Sequence, residues 1–308
     1  MKKLSRPQRL TVPGPLRPVA RFVKANLRLV GLVAAIIIVG GGILAWRFLY
    51  YDRPSQAWQD MLTKSVQTKS VTLTSSQRAA AASNIQTIKY RTGNDKLATS
   101  ETDVTQQSNT LKVETIGTAD AEYARYTAIN VAGIDSSKVL NVWAKLDHKN
   151  QAPTDERQLL ADAVLRLGNG YGIILADVPA GQRDKILNEL QDKVLTVDTA
   201  AAKRESFNNQ SVYAYDLKVN PQAYNTYLKD MSAATGIKTN SYDFTISDPT
   251  PTPLRLYVSR SSHRLVGLMY PQLSSYQETY DQYDQPVTVT IPGNTITYDE
   301  LAKRLVTK

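Results

Sequence analysis

The stretch SVYAYDLKVNPQAYNTYLKDMSAATG, Ser211 to Gly236, changes its period half-way, and that change decides the fold class. In its first part Tyr213, Tyr215, Leu217 and Val219 alternate with polar or small residues, the pattern of a half-buried strand. From Asn220 onward the spacing is helical, with Tyr224, Tyr227, Leu228 and Met231 on one stripe. Asn220 reads as the N-cap, because its side chain can accept a bond from an orphan backbone N–H. Pro221 suits the first helical position, and Gly236 provides a left-handed stop. A strand running directly into an amphipathic helix is the unit of an α+β domain.

Working upstream, PSQAWQDMLTKSVQ places Ala57, Trp58, Met61, Leu62 and Val66 at helical spacing behind Ser55. The period then becomes two in SVTLTSS, NIQTIKYRT, LATSETDVTQQ, NTLKVETIG and AEYARYTAI, polar-rich segments separated by short turns. Such a succession predicts an antiparallel meander with one wet face. KVLNVWAKLD adds a strand bearing Val142 and Trp143, and TDERQLLADAVLRLG and PAGQRDKILNELQDK read as helices. Downstream, PLRLYVSRSSHRLVGLMYP predicts two strands around a polar turn at Ser261 and Ser262. SSYQETYDQYD reads as a polar strand, and PVTVTIP as a half-buried strand with Val287, Val289 and Ile291 inward. ITYDELAKRLV opens with a full helix-start signature: Thr297 as cap, Glu300 three residues on, and Ile296 facing Leu301.

The formal net charge of +9 invites a nucleic-acid partner, but its distribution removes that reading. Nine Lys and Arg and no Asp or Glu precede residue 52, so the remainder is formally neutral. This basic tail, residues 1–28, is proline-rich and polar and is expected to be disordered in the cytoplasm. It leads into LVGLVAAIIIVGGGILAW, Leu29 to Trp46, uncharged and apolar throughout. That run and its flank predict a single transmembrane helix and signal-anchor over 29–51, with the bilayer as partner. The positive-inside rule then places the chain in the plasma (inner) membrane with its N-terminus cytoplasmic and residues 52–308 extracytoplasmic.

Chemistry is scarce. There is no cysteine, hence no disulfide, thiol nucleophile or lipidated cysteine, and there are only two histidines, His148 and His263, both in polar turn contexts that predict exposure. HExxH, GxSxG, Walker A and EF-hand patterns are all missing from the sequence. LGNGYGIIL follows a helix and lacks a Lys-Ser/Thr, so it reads as cap and turn. Asp281 and Asp284 could hold a cation but read as a solvated strand end. No catalytic residue, metal site or cofactor is expected. The most unusual feature is 17 Tyr against 4 Phe, which fits a half-exposed sheet or a sheet face whose rings line a cleft for an apolar ligand while their hydroxyls meet water or a headgroup.

The hairpin LRLYVSRSSHRLVGLMY, its following polar strand and YDQYDQPVTVTIP together resemble the close of the LppX and LprG type of cell-envelope lipoprotein, and more distantly LolA-like carriers. The order of elements over residues 54–292 is similar too. The resemblance implies a strongly curved antiparallel sheet, a half-barrel, with helices on its concave side and a cavity for acyl chains. It implies a non-enzymatic protein that binds a lipid or other hydrophobic ligand, here with a transmembrane anchor instead of a lipidated cysteine. Alternation nominates Val71, Leu73, Trp143, Leu217, Leu228, Met231, Leu254, Leu256, Val287 and Val289 as cavity lining. The same periodicity fits a second expectation: an envelope interaction or assembly module with a collapsed core and a Tyr-rich contact face including Tyr280 and Tyr283.

Overall fold

The computed structural model describes residues 53–93, 96–118, 120–147, 173–236, 250–273 and 275–306, together with Leu32, Ala35 and Val39. By internal contacts the chain divides at Arg53/Pro54. The second unit is Pro54–Lys308.

Helix α1 (Pro54–Ser65) precedes five long strands, β1 (Ser70–Ala79), β2 (Ala82–Arg91), β3 (Leu97–Gln106), β4 (Asn109–Thr118) and β5 (Ala121–Asn130), joined as the expected meander. A short β6 (Ala144–Asp147) follows. Helix α2 (Ala180–Glu189) continues into a π-helical turn at Leu190–Val194 and then β7 (Leu195–Val197), β8 (Lys203–Phe207) and β9 (Gln210–Val219). Helix α3 (Pro221–Thr235), β10 (Thr252–Ser259), β11 (Leu265–Met269), β12 (Tyr276–Asp281), β13 (Ile296–Thr297) and α4 (Tyr298–Val306) complete the chain.

The stretch that sets the fold class forms as its residues dictate. Asn220 Oδ1 accepts from the N–H groups of Gln222 and Ala223 at 3.1 and 3.2 Å, and Gly236 closes α3 at φ 63°. At the start of α4, Thr297 Oγ1 accepts from the Glu300 N–H at 3.1 Å. One strand carried no clear sequence pattern: β8, KRESF, turns into β9 through Asn208 and Asn209, both at positive φ, the conformation a tight hairpin requires.

The sheet corrects the half-barrel. Among the described residues twelve strands follow one open path from β13 to β7 and a thirteenth, β8, pairs with β9 off that path, and the sheet is mixed, because β13 runs parallel to β6. Its ends are a two-residue and a three-residue strand, which blunt the edges rather than meeting to close them. The pairing register shows how the faces divide. Tyr280, Leu73, Ile88, Ser100, Thr115, Ala124 and Ala144 form one cross-strand row from β12 to β6. Its first three members belong to the main core with α1, α2 and α3, and its last two to the cluster under α4. All four helices among the described residues therefore cover one face, and the opposite face is free of any described helix. In mid-row a 2.8 Å hydrogen bond between the Ser100 and Thr115 hydroxyls satisfies both buried groups.

PVTVTIP also departs from expectation. Residues 286–290 run extended and alternate exposed with half-buried, but Ile291, expected inward with Val287 and Val289, is exposed, and 286–292 pair with no strand among the described residues. Pro286 and Pro292 offer no N–H, and the free side of β6 is taken by β13. Helix 154–168, His148 and the glycine-rich turn at 168–172 lie outside the described residues.

The membrane anchor is corrected as well. No helix among the described residues is long and apolar enough to cross a membrane. Of 29–51, only Leu32, Ala35 and Val39 are described, as helical and exposed positions. The structure thus gives no support to a transmembrane helix, a single-pass topology with cytoplasmic N-terminus, or a bilayer partner through 29–51.

Candidate interaction surface

Seven of the ten nominated cavity residues, Val71, Leu73, Leu217, Leu228, Met231, Leu254 and Leu256, belong to one close-packed core. Helix α1 seals it from one side: Trp58 lies 5.1 Å from the Tyr215 ring, and the Tyr215 hydroxyl donates to the Pro54 carbonyl at 2.6 Å. Fully burying a side chain such as Leu256 stabilises the fold by about 1.5–3 kcal/mol, so filling this space favours stability over a vacant cavity. The other three, Trp143, Val287 and Val289, are half-buried and away from that core. Trp143 and Val289 pack with Leu97, Ile116, Ala121 and Tyr123. Ile116 and Tyr123 are register partners pointing opposite to the helix-facing row, so this cluster sits on the helix-free face.

The tyrosines also turn inward. Tyr280 is 6% exposed, and its hydroxyl donates to one oxygen of Glu278 while Tyr276 donates to the other at 2.6 Å. Glu278 is itself buried at 3% exposure. Burial pushes its carboxyl pKa upward, against the opposing pull of the two phenol donors. The Tyr283 hydroxyl donates to the Leu265 carbonyl at 2.5 Å. A contact face made of Tyr280 and Tyr283 is therefore ruled out, because these rings complete the core and their hydroxyls satisfy its polar groups.

His263, expected on the surface, is completely buried at φ 50°. Its Nδ1 lies 2.7 Å from Asp60 Oδ2, and Lys64 Nζ donates to the Ser262 carbonyl at 2.6 Å. These contacts dock the β10–β11 turn onto α1. An oriented imidazole is part of many catalytic sites, but this one has no exposure through which a substrate could reach it. Asp284, half of the supposed cation pair, is engaged by Arg264 at 2.6 Å and by the Lys69 N–H at 2.9 Å. Burial would raise its pKa, yet these partners hold it below the ordinary carboxylate value. Among the described residues no cluster of three or more His, Asp or Glu could hold a metal.

A groove is formed among the described residues on the helix-free face. Arg125, Asn141, Val142, Trp143, Thr290 and the 292–296 turn line an open groove of about 640 Å³. Arg125 lies 4.7 Å above the Trp143 ring while its Nε donates to Glu114 at 2.7 Å, which holds the indole and the guanidinium in fixed positions. Thr290 and Pro292 bring the end of the strap 286–292 to its wall. The strap is pinned at its start, where the Asp284 N–H donates to the Ser70 carbonyl at 2.8 Å and Ser70 Oγ to the Gln285 carbonyl at 2.5 Å. It is pinned at its end by the Ile296 N–H, which donates to the Trp143 carbonyl at 2.9 Å. Between these points its backbone makes no hydrogen bond to another described residue.

Comparisons with known proteins assign no family. No family model matches the chain. No curated protein matches it either. Among solved structures it is similar to the crystal structure of LprF from Mycobacterium bovis, with a TM-score of 0.43 and 12% identity over 78% of this chain and 97% of that one. So partial a likeness assigns neither a ligand nor a mechanism, and it leaves the expected membrane-anchored carrier of the LppX and LprG type unsupported.

Trp143, Val287 and Val289 were visible in the sequence as half-buried positions, but Arg125 and the 292–296 turn were not. Arg125 sits in a strand of ordinary alternation, and only its stacking on a residue 18 positions away marks it.

Proposed function

We propose that residues 52–308 form one domain that acts as a non-catalytic protein-interaction module, with a collapsed core and its contact surface on the helix-free face. The observation that carries this reading is the strap at 286–292, held at both ends, extended, and unpaired along its backbone beside the Trp143 groove. Unpaired strand backbone is a ready template for another chain, and an aromatic ring in an adjacent concavity is a typical anchor for one. Trp143, Val287 and Val289 are the residues of the nominated ten that this surface uses. Arg125 adds a planar donor already oriented by Glu114.

A photocrosslinking residue at Thr290, compared with one at the exposed hairpin tip Gln107, tests the assignment. A discrete crosslinked protein product from position 290, absent from 107 and lost in Trp143→Ala, supports an interaction at this face. Identical adducts from both positions, or none from 290, would remove the groove as the contact surface.

A further inference from the structure

The strap's chemistry identifies a partner: we infer that residues 287–291 pair antiparallel with the same residues of a second copy of this chain. This inference rests on the interaction-module reading and names its partner.

Three observations converge on a self-pairing strand. The first is the free backbone between two proline boundaries. Pro286 and Pro292 have no N–H, so they confine any ladder to Val287–Ile291 and prevent its growth into a longer sheet. The second is the side-chain order. An antiparallel pair centred on Val289 sets Val287 opposite the partner copy's Ile291, Val289 opposite Val289, and Thr288 opposite Thr290. Every apolar residue then meets an apolar one and every threonine a threonine, pairings that favour a ladder. Ile291 is 44% exposed, and this register covers it with a valine. If Val289 lies at a hydrogen-bonded position, the five-residue overlap makes about six backbone bonds.

The third observation is charge. No Asp, Glu, Lys or Arg occurs from 285 to 298, so a copy meeting its copy brings no like charges together. A strongly acidic or basic partner strand would find no complementary charge along the strap itself. The anchored ends matter as well: Asp284, Gln285 and Ile296 hold the strap extended before any partner arrives, which lowers the ordering cost of association.

Thr288 and Thr290 are exposed, so charges placed there disturb the pairing without entering the core. Sedimentation equilibrium of the full chain over a wide concentration range should give a reversible monomer–dimer equilibrium. The T288K/T290K chain and the T288E/T290E chain should each dimerise about tenfold or more weakly, because each register contact becomes a like-charge pair. Mixing the two should restore dimer as a heterodimer, and circular dichroism should show both variants folded. A chain that stays monomeric throughout, or a dimer that both variants retain, would overturn the strap pairing. A product of this chain with a different protein from the Thr290 photocrosslink, together with a monomeric chain, would sink the self-pairing while leaving the interaction surface standing.

Discussion

The two faces of this sheet handle polar groups in opposite ways. On the helix-covered face, buried groups find partners inside the fold: Ser100 with Thr115, Glu278 with two tyrosines, and His263 with Asp60. On the other face, the strap at 286–292, exposed at Thr288, Thr290 and Ile291, makes no backbone hydrogen bond to another described residue. A buried polar group without a partner destabilises a fold, whereas an exposed one is solvated at little cost. The difference separates what the domain needs for stability from what it can offer to another chain.

The contrast can be broken most forcefully in the core. Leu256→Ala removes a fully buried side chain from the middle of the helix-covered face and should destabilise the domain by about 2–5 kcal/mol in urea denaturation. A smaller loss would mean that this face is looser than its packing indicates.

Next in size is Gly267→Ala on β11, which tests whether the helix-free face is uniformly open. A Cβ there would lie 2.3 Å from the Phe207 ring, itself stacked on Tyr257 with centroids 4.2 Å apart. Overpacking of this kind should cost about 1–3 kcal/mol. A neutral result would show that the Phe207 cluster yields readily.

The Glu278 clamp gives a pH test. Because the folded carboxyl pKa is raised, folding takes up a proton as pH passes through the range between the unfolded and folded values. The associated stability is present below the unfolded value, roughly 4.3, and is lost as pH rises through the folded one. Glu278→Gln should therefore flatten the decline in thermal stability across that window, and an unchanged slope would assign the pH dependence elsewhere.

The smallest effect is expected on the strap. Thr290→Ala should change stability by no more than about 0.5 kcal/mol, since its side chain is exposed and its backbone unpaired. A loss comparable with Leu256→Ala would make the strap a structural element and erase the contrast.

Much of the local architecture was legible because its causes are local. Asn220, Pro221 and Gly236 bounded a helix by side-chain and backbone chemistry, and Thr297 did the same for α4. The five-strand meander followed from alternation and short turns. His263 was misread because a polar turn sequence says nothing of the helix that docks on it; only Asp60, 203 positions earlier, makes it a buried residue. Tyr280 was misread for a related reason: tyrosine suits both a wet face and a core, and Glu278 decided between them. The candidate surface was half visible, as Trp143, Val287 and Val289 had the right period but no indication of which face they joined.

By itself the sequence determined the periods, the caps, the neutral charge of the large domain, and the absence of cysteine and of recognised catalytic motifs. Only the tertiary structure decided that SVYAYDLKV pairs with strands on both sides while PVTVTIP, with a similar sequence alternation, pairs with none among the described residues. Alternation reports which side chains face an apolar surface, a property of the segment alone. A hydrogen-bonding partner is supplied by distant chain, and the free side of β6 had already gone to β13.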